Sequence, residues 1–134
     1  MAMSDPEAIL REARTIAVVG LSSNPMTASY GVARYLQAHG YRIIPVNPNE
    51  REVLGEKSYA TVAEIPEPVD LVDVFRVPEA TPAVARDAVQ AGAKALWLQL
   101  GISNPETRRI AEEGGLAYVE DACTKIVHAD MRRR

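Results

Sequence analysis

TIAVVGLSSNPMTASYGVARYLQAHGYRIIPVNPN, residues 15–49, decides the fold. Ile16 to Leu21 is an uninterrupted apolar run rich in Ile and Val. It is too short for a stable helix, so it reads as a strand buried on both faces. The strand runs directly into Gly20. Ser29 to His39 follows as a helix, with Val32, Ala33, Leu36 and Tyr35 toward the inside and Gly40 at the position where helices commonly stop. Arg42 to Val46 is a second strand, closed by Asn47-Pro48.

The same alternation continues outward. A short helix is expected before the first strand, over residues 6–13, with Asp5 as cap and Pro6 in its first turn. Beyond the second strand the pattern weakens. Val53-Leu54 and Ser58-Tyr59 suggest a short edge strand, and Thr61 to Ile65 a single helical turn. Asp70 to Phe75 reads as a strand, Glu79 to Ala91 as a helix closed by Gly92, and Ala95 to Leu100 as a strand. Asn104-Pro105-Glu106 carries a cap and a first-turn proline for a helix running to Gly114-Gly115. Leu116 to Val119 is a last strand, and the remainder, with Cys123, Lys125 and His128, reads as a tail. Strand and helix alternating in this way imply right-handed crossovers and an open, doubly wound parallel sheet.

Composition limits the possibilities. A chain of 134 residues fits a single domain spanning 1–134, with 1–7 and 129–134 expected as flexible ends. Its 47% hydrophobic and 25% charged residues are ordinary for a globular protein. No apolar run approaches the roughly 20 residues of a membrane span, and the N-terminus has no signal-like core. A cytoplasmic location, away from membranes, is the expectation. A net charge of −3 offers no field for neutralising phosphodiester backbones, so nucleic acid is not an expected partner. One cysteine excludes an internal disulfide. With a single cysteine, and His39 and His128 distant in sequence, no metal-ligand spacing exists.

Ligands of such sheets sit beyond the carboxyl ends of the strands, where strand order reverses. The loop from Gly20 to Ser29 leads into a helix N-terminus, and its Ser22 and Ser23 add hydroxyl donors, so a phosphate suits it. The usual dinucleotide fingerprint is nevertheless missing. Only Gly20 of its three glycines is present, and no acid follows the second strand until Glu50. No Gly-Lys pair exists for a nucleoside-triphosphate loop either.

Taken together, VVGLSSNP, SYGVARYLQAHGYRIIPVNP, VLGEKSYATVAEIP, VDLVDVFRVPE and GAKALWLQLGI resemble the small single-domain bacterial CoA-binding proteins. These are similar to the CoA-binding domain of the succinyl-CoA synthetase alpha subunit and of ADP-forming acyl-CoA synthetases. The resemblance runs from about residue 8 to 128. It implies a Rossmann-like domain that binds CoA or an acyl-CoA as its small-molecule ligand. Carried over by position, Gly20, Ser22, Ser23, Asn24 and Pro25 face the CoA phosphates, with Ser29 and Tyr30 opening the following helix. Asn47 and Pro48 flank the nucleotide. Phe75, Arg76, Val77 and Pro78 form the opposite wall, and Gln99 and Gly101 lie beside the pantetheine.

Two departures stand out. Relatives carry arginine where Thr27 stands, and they read Asp-Arg-Cys-Met-Lys-Ile-Glu-His where this chain has Asp121-Ala122-Cys123-Thr124-Lys125-Ile126-Val127-His128. The phosphorylated histidine of the synthetases belongs to a separate domain, so the resemblance implies binding without ligase chemistry and assigns no catalytic residue. A homodimer or a protein partner is compatible with such a module.

Other readings of the same residues stand beside this one. Ser22 and Ser23 also suit a purely structural helix cap, and Arg76 an ordinary surface ion pair. His39 suits the end of its helix dipole, Trp97 the core, and Cys123 a packing role. A small enzyme acting on a bound acyl-CoA or nucleotide would draw on Cys123 or Lys125. An NAD-type binding module is the third possibility, and the missing acid argues against it.

Overall fold

The computed structural model describes residues 4–134. Five parallel strands form the main sheet: β1 (Thr15–Val19), β2 (Arg42–Val46), β5 (Leu71–Val74), β6 (Ala95–Leu98) and β7 (Ala117–Val119). Their spatial order is β2-β1-β5-β6-β7, so strand order reverses between β1 and β5. Helices α1 (Pro6–Glu12), α2 (Ala28–Ala38), α3 (Thr81–Gln90), α4 (Pro105–Glu113) and α5 (Thr124–Arg132) cover the two faces. The fold is the expected α/β, Rossmann-like, doubly wound sheet.

The two-residue period of a strand explains both cores. Ile16 and Val18 of β1 point to one side, where they join Leu10 of α1, Leu36 of α2, and Val127 and Met131 of α5. Ala17 and Val19 point to the other, against Ala85 and Ala88 of α3 and Ala111 of α4. Both faces of every central strand are therefore dry, which is why those strands read as continuous apolar runs. Trp97 lies fully buried in the first core, its indole Nε1 donating to the Ala122 carbonyl at 2.9 Å.

Two segments differ from the sequence-based expectation. Residues 52–57 form an antiparallel hairpin, β3 (Glu52–Val53) with β4 (Glu56–Lys57), separate from the main sheet. Its turn residues Leu54 and Gly55 both have positive φ, the conformation a two-residue hairpin turn requires. Tyr59 then makes one parallel bridge to Val46 of β2. The single helical turn expected over Thr61 to Ile65 is present, as a short 3-10 helix, Val62–Glu64, flanked by those two residues.

The second difference is α5, read from sequence as a tail. Cys123, Val127 and Met131 recur every four residues and dock on the core, so the helix has an apolar stripe. Its start is unmarked because Cys123 occupies the N-cap and makes no side-chain bond there. Both ends expected to be flexible are thus partly built into the fold. Ser4 pairs with the edge strand β7, its amide donating to the Tyr118 carbonyl and its hydroxyl accepting from the Tyr118 amide, both at 3.0 Å. Arg134 reaches Glu7, and Arg132 donates to Nε2 of His39 at 2.6 Å. Among the described residues no helix is long and apolar enough to cross a membrane.

Gly20 is where β1 meets β5. Its φ of +87° is unfavourable for other residues, and a Cβ there would lie 2.2 Å from the Phe75 carbonyl oxygen. Gly92 also has positive φ, but a Cβ on it meets nothing within 4 Å. Gly92→Ala is therefore expected to cost about 1 to 2 kcal/mol from backbone strain alone. Gly20→Ala, which must also separate two strands, should cost more than about 3 kcal/mol. Urea unfolding of the two variants checks the difference, and equal losses would contradict the close approach.

Candidate functional site

The carboxyl ends of β1, β2 and β5 converge at the strand-order reversal. There the Gly20 amide donates to the Val46 carbonyl and the Phe75 amide to the Val19 carbonyl, both at 2.8 Å. Two adjoining cavities open at this edge. One of about 290 Å³ is lined by Gly20, Asn47, Pro48, Asn49, Phe75 and Arg76. The other, of about 260 Å³, lies on the α3 side under Thr61, Ala80, Ala83 and Val84. Arg76 walls both. Among the described residues it makes no ion pair, whereas Arg42 at the sheet's opposite edge is clamped by Glu56 and Glu67. An exposed, unpaired guanidinium beside a cleft is free to meet an anion with charge-assisted hydrogen bonds.

The loop from Leu21 to Thr27 is held by its own short polar side chains. Ser22 Oγ accepts from the Asn24 amide at 3.0 Å, and Asn24 Oδ1 accepts from the Met26 amide at 2.9 Å. Ser29 is buried, and its Oγ accepts from the Ser22 amide at 3.1 Å. Thr27 is the N-cap of α2: its hydroxyl donates to the Asn24 carbonyl at 2.7 Å and accepts from the Tyr30 amide at 3.4 Å. Thr27, where the resemblance leads one to expect arginine, thus has a structural task of its own. Asn47 joins the loop to β2 by donating Nδ2–H to the Leu21 carbonyl at 3.0 Å.

Glu50 comes nearer than its position in the sequence suggested. The turn after β2 folds back, with the Glu50 amide donating to the Asn47 carbonyl, and Glu50 Oε2 accepts from the Ser23 amide at 2.8 Å. An acid therefore does reach the first loop. It does so from a turn that strand-end counting does not foresee.

The residues singled out from sequence divide into two groups. Gly20, Asn47, Pro48, Phe75 and Arg76 line the cleft, with Ser22, Ser23, Asn24 and Pro25 in the loop beside it. The others serve the framework. Tyr30 packs on the α2-side core. Pro78 begins a 3-10 turn and its carbonyl accepts from Thr81 Oγ1 and Asn104 Nδ2. The Gly101 amide is taken by Asp121 Oδ1 at 2.7 Å.

Gln99 belongs to a buried network that the sequence did not reveal. Its Nε2 donates to Asp73 Oδ1 at 2.6 Å and to Thr124 Oγ1 at 2.9 Å, and Thr124 Oγ1 donates to Asp73 Oδ2 at 3.0 Å. The three side chains tie β5, β6 and the start of α5 together beneath the carboxyl edge. Asp73 lies completely buried, and burial pushes its carboxyl up to about 7, outweighing the opposing hydrogen bonds from Gln99, Thr124 and the Val74 amide. The available signal was one aspartate inside the apolar run Val72 to Phe75.

Cys123, Lys125 and His128 do not assemble as a catalytic group. Cys123 packs against the core, Lys125 lies over the Tyr35 ring at 5.5 Å, and His128 Nδ1 bonds the Tyr35 hydroxyl at 2.9 Å. His39 and His128, distant in sequence, meet with ring centroids 5.3 Å apart. Both His39 nitrogens are engaged, Nδ1 on the Tyr35 carbonyl and Nε2 on Arg132. Burial, aided by His39 and Arg132, holds His128 below the usual imidazole value and so favours its neutral form.

A five-stranded parallel sheet whose strand order reverses between β1 and β5, with a cleft at that point, is the architecture of a Rossmann-like domain. Residues 14–129 match the family model for the CoA-binding domain, and the chain belongs to that family. It is 41% identical over 121 residues, 90% of each chain, to the uncharacterized protein YneT of Bacillus subtilis. It is also 27% identical over 128 residues to an ADP-forming acetate–CoA ligase I of Archaeoglobus fulgidus, covering 88% of this chain and 19% of the ligase. Among solved structures, a hypothetical protein from Pyrococcus horikoshii superposes with a TM-score of 0.92 at 36% identity, covering 96% of this chain and 93% of that one.

The Asp73 network fixes the sign of a pH effect. An unfolded aspartate titrates near 3.8 and the folded one near 7, so between these values the folded chain holds the proton more tightly. Its contribution to stability is complete below about pH 4 and is lost as pH rises through about 7. Asp73→Asn should flatten this part of the profile. Denaturant unfolding of both proteins across that interval checks it, and parallel profiles would contradict the assignment.

Proposed function

We propose that the protein is a non-catalytic CoA-binding module. In this reading the CoA phosphates lie against the loop from Gly20 to Ser29 and the first-turn amides of α2, with the Arg76 guanidinium opposite. The nucleotide end occupies the cleft lined by Asn47, Pro48 and Phe75, and the pantetheine leaves along the carboxyl edge toward Gly101. The observation that carries it is Arg76, a cation without an ion pair among the described residues, standing at the strand-order reversal and lining two adjoining cavities. Membership of the CoA-binding domain family supports the choice of ligand. With the Ser22, Ser23, Asn24 and Met26 amides taken within the fold, the neutral donors left to the ligand are the Ser22 and Ser23 hydroxyls and the first amides of α2, and Arg76 is the cation that favours a polyanion over a neutral nucleoside.

Calorimetric titration with CoA, 3'-dephospho-CoA and NAD tests this. CoA should bind most tightly. Arg76→Ala should weaken it about tenfold or more, the loss of a charge-assisted hydrogen bond worth roughly 1.5 to 3 kcal/mol. Ser22→Ala should cost less, because its hydroxyl already serves the loop. NAD binding as tightly as CoA, or an Arg76→Ala protein of unchanged affinity, would contradict the proposal.

A further inference from the structure

The bonds that hold the loop after β1 are of two kinds. Ser29 Oγ takes the Ser22 amide, Ser22 Oγ the Asn24 amide and Asn24 Oδ1 the Met26 amide, so these donors end on neutral oxygens of the loop itself or of α2. They give the loop its shape. The Ser23 amide instead ends on the Glu50 carboxylate, at 2.8 Å, and Glu50 comes from the turn after β2, 27 residues away. Among the described residues no cation pairs with that carboxylate.

The backbone that carries Glu50 is fixed independently of this contact. Its amide donates to the Asn47 carbonyl at 3.2 Å, which also accepts from Ser58 Oγ at 3.2 Å. The Ser58 amide donates to the Arg51 carbonyl at 3.0 Å, and the Asn49 amide to Asn47 Oδ1 at 2.9 Å. Glu50 is half-buried, and its side chain can leave the Ser23 amide by rotating about its own torsions while the turn stays in place. Asn47, Pro48 and Asn49 of the same turn line the cleft. Glu50 therefore links the cleft wall to the loop through one charged, movable group.

For a backbone amide, a carboxylate and a phosphate are the same kind of partner, an anion that accepts a charge-assisted hydrogen bond. Two such anions brought to contact distance disfavour each other by about fivefold in binding even in bulk water. We infer that Glu50 is an internal competitor for the phosphate position: its carboxylate holds the Ser23 amide in the free protein, and a ligand phosphate displaces it. The inference rests on the proposed reading in placing phosphates at this loop, and it adds the residue that limits how tightly they bind.

Titrating the wild type and Glu50→Gln with CoA tests it. The glutamine keeps an oxygen that accepts from Ser23 and removes the charge, so the loop persists. At about 0.01 M salt the variant should bind CoA about fivefold more tightly than the wild type, and the gain should shrink at about 1 M, where the reach of a charge falls from about 30 Å to about 3 Å. If CoA binds but the variant binds it equally or more weakly, or with a gain that salt leaves undiminished, the inference fails and the CoA reading stands. If neither protein binds any CoA compound, that reading fails, and inorganic pyrophosphate decides the inference separately. Pyrophosphate should shift the Ser23 amide resonance of both proteins, at a lower concentration in Glu50→Gln. A Ser23 amide that it leaves unmoved, or moves at the same concentration in both, would overturn the inference.

Discussion

The close approach of Gly20 to the Phe75 carbonyl is the constraint on which the rest of the molecule depends. Among the described residues, strand order reverses between the parallel neighbours β1 and β5, with β2 beyond β1 on one side and β6 and β7 beyond β5 on the other. The chain must leave β1 sharply there, and a side chain at Gly20 would occupy the space of the β5 backbone. The cleft at this point lies between Gly20 and Arg76 on one side and the Asn47-Pro48-Asn49 turn on the other. One glycine performs the task that a dinucleotide site distributes over three. The remaining turns of the loop are made by Ser22, Asn24 and Thr27, whose side-chain oxygens take the backbone donors that a glycine-rich loop leaves open.

Burial on both faces sets the second constraint. A sheet covered on each side has no wet surface on which to place a polar group, so Asp73 must be satisfied from within. Gln99 and Thr124 do this completely: among the described residues no buried side-chain nitrogen or oxygen is left without a partner. The same network decides where α5 begins, since Thr124 is its first residue. The C-terminal helix is therefore located by a buried hydrogen bond at one end and by the His39, Tyr35 and Arg132 contacts along its length.

Much of this was legible in the sequence, for identifiable reasons. Continuous Val and Ile runs ending in glycine or Asn-Pro locate the strands because interior parallel strands have no polar face. Capped helices such as the one after Asn104 announce themselves because the cap has to be a short polar side chain. α5 escaped because its cap is a cysteine and its four-residue stripe of Cys123, Val127 and Met131 lies among charged residues. The hairpin at residues 52–57 escaped because two-residue strands are too short to show a period. At the site, Gly20, Asn47, Pro48, Phe75 and Arg76 fall where strand-end logic points. Ser29, Gln99 and Gly101 are occupied by contacts within the fold, and Glu50 arrives through a turn whose direction only the folded chain displays.

Two-dimensional amide spectra of the labelled protein, recorded while CoA is added, test the location of the site most directly. The account predicts shifts confined to the amides of Gly20 to Tyr30, Asn47 to Glu50, and Arg76 to Gly101 where that segment borders the carboxyl edge. The amides of Arg14, Asp70 and Lys94, at the opposite end of the strands, should stay fixed. Shifts centred on those amino-end residues, with the Gly20 loop unmoved, would contradict it.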